Sequence, residues 1–215
     1  MKKFIFTMVI LTFAVTVNAQ WSEQVSGVTT TLYSVSAVDN NVAWICGAGG
    51  KVLRTINGGT NWNLTTSPNA ALDLYNIWGI DANNALVTGS GSTAYVYKTT
   101  NGGNNWTQVF SQVGGFINAI VEVDINAYVM CGDPVGGRWS MWFTDNVGST
   151  WDSSGIYIPQ AGTETGYNNS AFFLRGNNSA YWMGTNNTRI YASFEEGVWA
   201  IQPTTGQVNS LAIVF

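Results

Sequence analysis

Residues able to do chemistry are sparse in this sequence, and the acids come first. Cleaving a glycosidic bond takes two carboxylates facing each other across a cleft with their pKa values pushed apart. Asp39, Asp81 and Asp124 recur at matching places along the chain, which marks them as turn residues. Glu122, Asp133, Asp152 and Glu164 do not recur, and a site on a repeated framework is expected among the residues that break the repeat. Asp133 stands out because it opens the segment DPVGGRW (133–139), together with Arg138 and Trp139. The chain has no histidine, so it offers neither a His-based triad nor a His-ligated metal. No catalytic set, cofactor site or metal site emerges from these residues.

The two cysteines, Cys46 and Cys131, each follow an aspartate (Asp39, Asp124) by seven residues and each precede a glycine. They are one repeat position in two different repeats. That separation puts them beyond the Cα distance of about 7 Å at which a disulfide can close. They are expected as free, buried thiols that pack as small apolar groups. Arg54 and Lys98 also share one repeat position, but Phe143 and Ala192 take it in the next two copies, so a continuous basic stripe is missing.

These residues are held by elements whose period is legible. TINGGTNW (55–62), TTNGGNNW (99–106) and TDNVGSTW (144–151) are copies of one turn, and SFEEGVW (193–199) is a degenerate fourth. Four strand-like pieces accompany each copy. The first pieces are YSVSAV (33–38), YNIWGI (75–80), INAIVEV (117–123) and NSAFFL (169–174). The second are AWICG (43–47), ALVTG (85–89), AYVMCG (127–132) and AYWMG (180–184), the third KVLRT, AYVYKT, SMWFT and RIYAS, and the fourth begins at each tryptophan. Four short strands per repeat with Gly-rich turns is the pattern of a β-propeller blade. The fold class expected is therefore all-β: four-stranded antiparallel blades at about 32–66, 74–110, 117–155 and 168–203, with a fifth opening at 208–215. Trp21 aligns with the tryptophans that begin fourth strands, so the ring is expected to be incomplete, about four blades of a truncated chain. Open blade faces on such a chain would favour aggregation if it stood alone.

The turn resembles the Asp-box, or BNR, motif Ser/Thr-x-Asp/Asn-x-Gly-x-x-Trp. This motif belongs to propellers of sialidases, sortilin-like receptors, xyloglucanases and photosystem II assembly-factor-like proteins. The basic residue before the first two boxes, the Gly-Gly pair and the period are most similar to the last group. The box residues are Thr55, Asn57, Gly59 and Trp62; Thr99, Asn101, Gly103 and Trp106; and Thr144, Asp145, Gly148 and Trp151. Asn57, Asn101 and Asp145 are read as acceptors of backbone N–H groups within the turn, the glycines as the residues that free its backbone, and each tryptophan as a ring packed over it. A sialidase-like site would need arginines gathered around a carboxylate, and Arg54, Arg138, Arg175 and Arg189 stand in no such motif.

Charge narrows the partners. Net charge is −4 with 9% charged residues, which supplies no basic face for nucleic acid. Lys2 and Lys3, an apolar run from Phe4 to Val17 and Val17-Asn18-Ala19 before Gln20 read as a secretory signal over 1–19. The mature chain, 20–215, is expected outside the cytoplasm and not inserted in a membrane. The expected function is a non-catalytic module that binds a protein or glycan, with Asp133, Arg138, Trp139 and Tyr167 as ligand contacts. The alternative is part of an extracellular glycoside hydrolase of the sialidase or xyloglucanase type.

Overall fold

The computed structural model describes residues 22–174, 180–186, 189–195, 198–203 and 205. The first sheet is β1 (Leu32–Ala37), β2 (Ala43–Gly47), β3 (Lys51–Thr55) and β4 (Asn63–Leu64). The second is β5 (Asp73–Gly79), β6 (Ala85–Ser90), β7 (Thr93–Thr99) and β8 (Thr107–Val113). The third is β9 (Ile117–Asp124), β10 (Ala127–Val135) and β11 (Arg138–Thr144). The fourth is β12 (Gly166–Leu174), β13 (Ala180–Thr185), β14 (Arg189–Glu195) and β15 (Val198–Pro203). Within each sheet, strands adjacent in sequence pair antiparallel. This is an all-β propeller, and the four sheets follow one another without closing a ring among the described residues.

Successive blades stack through their inner strands: β5 lies on β1 and β2, β9 on β5, and β12 on β9. The apolar runs of the sequence are buried in these seams, because a blade covered on both faces has no polar side to show. Trp44, Cys46, Leu74, Ile77 and Val87 form the seam between the first two blades. Leu86, Val96, Ile117, Ile120 and Met130 form the next, and Ala119, Val129, Trp139, Met141 and Tyr191 the third. Cys46 and Cys131 are free and buried in two different seams. Burial pushes the Cys131 thiol up to about 12, so it stays protonated.

One blade departs from the expected pattern. The repeat places the start of a fourth strand at Trp151 in the third sheet, but only two isolated bridges stand there, Phe143 to Asp152 and Arg138 to Pro159. The cause is turn chemistry between the bridges. The Asp152 carboxylate accepts from Ser154 N at 2.9 Å and from Ser154 Oγ at 2.8 Å, and Gly155 follows with φ 77. A side-chain-bonded turn of this kind competes with the ladder and pushes the strand off its neighbour.

Candidate functional site

Chain direction sorts the loops onto two faces. The turns between first and second strands and the boxes after third strands lie at one end of every blade. The hairpins between second and third strands, and the linkers from one blade to the next, lie at the other. The acid-led turns belong to the box end. Asp39 Oδ1 accepts from Asn41 N and Val42 N, both at 2.7 Å. Asp81 accepts from Asn83 N, Asn84 N and the Asn84 side chain at 2.6, 2.8 and 2.7 Å. Partial burial pushes the Asp81 carboxyl up, but these bonds outweigh it and hold it below its ordinary value.

Each box is a small hydrogen-bond relay. In the first, the Thr55 hydroxyl donates to Asn57 Oδ1 at 3.0 Å and accepts from Gly59 N at 2.9 Å, while Asn61 N donates to Asn57 Oδ1 at 3.0 Å. Thr99, Asn101, Gly103 and Asn105 repeat it at 3.1, 3.0 and 2.9 Å. The third box corrects the expectation from the motif: the acceptor is Asn146, not Asp145. Asn146 Oδ1 takes bonds from the Thr144 hydroxyl at 2.9 Å and from Ser149 N and Thr150 N at 3.0 Å, whereas Asp145 is exposed. The relay needs its acceptor two residues after the threonine, and that spacing selects Asn146. Gly59, Gly103 and Gly148 have φ of 83, 82 and 71, a region that favours glycine.

Two of the box tryptophans, Trp106 and Trp151, reach across seams. Trp106 meets Trp44 of the preceding blade edge-on at 6.3 Å, and its Nε1 donates to Thr66 O at 3.0 Å. Trp151 packs on the seam between the second and third blades. Trp62 Nε1 donates to Gln24 Oε1 at 3.0 Å. Arg54 and Lys98 also work across blades: Arg54 Nη1 donates to Ala82 O beside the Trp44 ring, and Lys98 Nζ donates to Ser149 Oγ at 2.9 Å. The box end is thus occupied with holding blades together.

The opposite face carries the irregular segments. Asp133 Oδ1 accepts from Asn118 Nδ2 at 2.9 Å and Gly166 N at 2.8 Å, tying the end of β10 to the start of β12. Glu164 is buried, with one oxygen 2.7 Å from Arg189 Nη1 and the other 2.8 Å from the Tyr191 hydroxyl. Burial first, and Glu164 second, push the Tyr191 hydroxyl above its ordinary value, which keeps it a donor. Both Glu164 oxygens are engaged, so this carboxylate pins the linker and does not face a cleft. Glu122 and Asp152 are exposed acids at other places.

Of the four contacts expected from the sequence, Trp139 is corrected: it is 0% exposed and packs edge-on against Tyr191 at 5.9 Å. Its large apolar ring is drawn into the seam between the third and fourth blades. Arg138 is half-buried and stacks on Tyr157, 5.9 Å from the ring centre, and Tyr157 is 64% exposed. Tyr167 lies in β12 and its side chain is outside the described residues.

A row of rings on this face goes beyond what the sequence predicts. Tyr33 stacks on Tyr75 at 5.2 Å, and Tyr75 meets Phe116 at 4.9 Å, one ring from each of three successive blades. Tyr33 is 39% exposed, and Tyr75 and Phe116 are half-buried. Asp73 stands beside the row, with Oδ2 3.4 Å from the Tyr33 hydroxyl and Oδ1 2.9 Å from Gly49 N. The signal in the sequence is a tyrosine recurring just inside the first strand of two repeats, Leu32-Tyr33 and Leu74-Tyr75.

The comparisons with known proteins agree with this architecture. Residues 13–154 match the family model described as photosynthesis system II assembly factor YCF48. The chain belongs to this YCF48 family. A solved YCF48, from Cyanidioschyzon merolae, superposes with a TM-score of 0.61 at 17% identity, covering 86% of this chain and 61% of that one. An ancestral GH74 enzyme gives a TM-score of 0.61 at 18% identity, covering 85% of this chain and 25% of that one. The GH74 xyloglucanase from Xanthomonas campestris gives 0.56 at 12% identity, covering 81% and 32%. At these identities the GH74 likeness is one of fold. The chain spans about three fifths of the length of the YCF48 structure it matches. No curated protein matches it.

Proposed function

We propose that this member of the YCF48 family is a non-catalytic, exported binding module that docks a protein segment on the face formed by its hairpins and inter-blade linkers. The observation that carries this reading is the half-exposed row Tyr33, Tyr75 and Phe116 on that face. Aromatic rings held by a rigid sheet give large contact area at low entropic cost, which is why they anchor interfaces. The stacked Arg138 and Tyr157 extend the same face with two further residue types favoured at interfaces. The family's description as an assembly factor supports a protein partner. The engaged carboxylates of Asp133 and Glu164 argue for binding over hydrolysis. Export rests on the sequence of residues 1–19, and an N-terminus at Gln20 in the mature protein is the expected mass-spectrometric result.

The test compares faces. Tyr33→Ala with Tyr157→Ala is expected to weaken binding of the partner co-purified with the full chain by more than about tenfold. Ile56→Ala, on the box end and 53% exposed, is expected to leave it unchanged. The opposite pattern contradicts the reading.

A further inference from the structure

The row of rings has a chemistry that selects among partners, a selection that rests on the docking of a protein segment to this face. Strand bulges set the row. β1 pairs Leu32 with Gly47 and then Ser34 with Cys46, and β5 pairs Leu74 with Gly89 and then Asn76 with Thr88, each time stepping over the tyrosine. A bulge re-aims the side chain it carries, and here the two equivalent bulges place equivalent rings side by side. Tyr75 is covered on one side by Tyr33 and on the other by Phe116. Tyr33 ends the row: among the described residues its one ring neighbour is Tyr75, and it is 39% exposed. Tyr33 is thus the most exposed of the three rings, and the face of an aromatic ring is its negative side.

The Asp73 carboxylate lies beside that ring. Its Oδ1 is held by Gly49 N at 2.9 Å, and Oδ2 stands 3.4 Å from the Tyr33 hydroxyl. Desolvation first, and Asp73 second, push the Tyr33 hydroxyl above its ordinary value, so it remains a neutral donor toward that oxygen. Among the described residues no Lys or Arg forms an ion pair with Asp73. Past the other end of the row, the Asp133 backbone N donates to Phe116 O at 2.8 Å, and the Asp133 carboxylate is likewise without an ion pair among the described residues. An exposed aromatic ring beside a half-buried carboxylate that has no ion pair among the described residues attracts a cation and repels an anion.

We propose that Tyr33 and Asp73 form a subsite for a cationic side chain, arginine or lysine, carried by a peptide segment that lies along the row Tyr33, Tyr75 and Phe116. The guanidinium or ammonium sits over the Tyr33 ring and donates to Asp73 Oδ2. A neutral glycan would use the rings and could only donate hydroxyls to the carboxylate, without the charge attraction that salt screens.

The test titrates the full chain with the peptide Gly-Arg-Gly-Arg-Gly, its glutamate counterpart, a lysine counterpart with and without Nε-acetylation, and cellohexaose, by isothermal calorimetry. The arginine and lysine peptides are expected to bind, and acetylation or raised salt to weaken them several-fold. Asp73→Asn, which keeps the oxygen that Gly49 N uses, and Tyr33→Leu are each expected to weaken the arginine peptide about tenfold. Equal binding of the glutamate peptide or of cellohexaose overturns the proposal, as does equal binding of the arginine peptide to both variants. The peptide and salt series on the unaltered chain decide the matter if a variant melts early. If no cationic peptide binds while the co-purified partner still contacts the hairpin-and-linker face, the subsite fails and the docking reading stands. If the partner contacts the box end, both fail.

Discussion

The box relay turns on a single oxygen, and the position of that oxygen follows from spacing more than from charge. Asp145 has the charge that an acid-named motif invites, yet Asn146 is the residue two places after Thr144 and takes the backbone bonds. Asn146→Ala is expected to lower stability by about 1–2 kcal/mol, as for other side-chain caps of backbone donors, and Asp145→Ala by less than about 0.5 kcal/mol. Urea melts of the two variants check this, and equal losses would contradict the assignment. Asp81 gives a pH signature. Its folded-state pKa lies below its unfolded value, so its contribution is present above the unfolded pKa near 3.8 and is lost as pH falls through the folded value. Asp81→Asn is accordingly expected to lower stability at neutral pH and to flatten the acid limb of stability against pH between about 5 and 2. An unchanged acid limb in melts across that range would count against the hydrogen-bond account. Asp81 and the box threonines and glycines are legible in the sequence because each repeats, whereas Asn146 is passed over for the acid beside it although it keeps the spacing of Asn57 and Asn101. Trp139 is not, because a tryptophan in an irregular segment reads as exposed until the neighbouring blade that buries it is in view.

At the scale of elements, the three inner strands of the first two blades follow the sequence closely; in the first, AWICG runs from the Asp39 turn to Gly47 and KVLRT from Gly50 to the box. The third blade does not, because Asp152 and Ser154 offer the backbone a turn that competes with the outer strand. The segment that leaves this blade is then fastened by Glu164 to Arg189 and Tyr191, by Thr165 N to Asn186 Oδ1 at 2.9 Å, and by Gly166 N to Asp133. Glu164→Gln keeps an acceptor but removes the charge, leaving half-exposed Arg189 unpaired. It is expected to cost about 1–3 kcal/mol and to speed hydrogen exchange at Thr165 and Gly166 while Gly59 and Gly103 stay protected. Uniform loss of protection would instead mean that Glu164 supports the whole domain and not the linker.

Across the whole molecule, repeat logic gives both the architecture and its blind spot. Repetition marks a residue as structural and directs the search for function to residues that do not recur, but the ring row is assembled from a recurring tyrosine, and only the stacking of blades brings its members together. The same stacking assigns different weights to equivalent residues. Val35 pairs with Ile45 as Ile77 does with Val87, yet Val35 is 66% exposed on the first blade while Ile77 is 5% exposed in a seam. Ile77→Ala is expected to cost about 2–4 kcal/mol and Val35→Ala less than about 0.5, by chemical denaturation. The central claim, that the partner docks on the hairpin-and-linker face, has a direct probe in the chain itself. After Ala19 the sequence holds two lysines: Lys51 begins β3 on that face, and Lys98 lies at the box end of β7. Lysine-reactive crosslinking of the complex with its partner, read by mass spectrometry, is expected to join the partner through Lys51. Partner crosslinks confined to Lys98 would contradict the account.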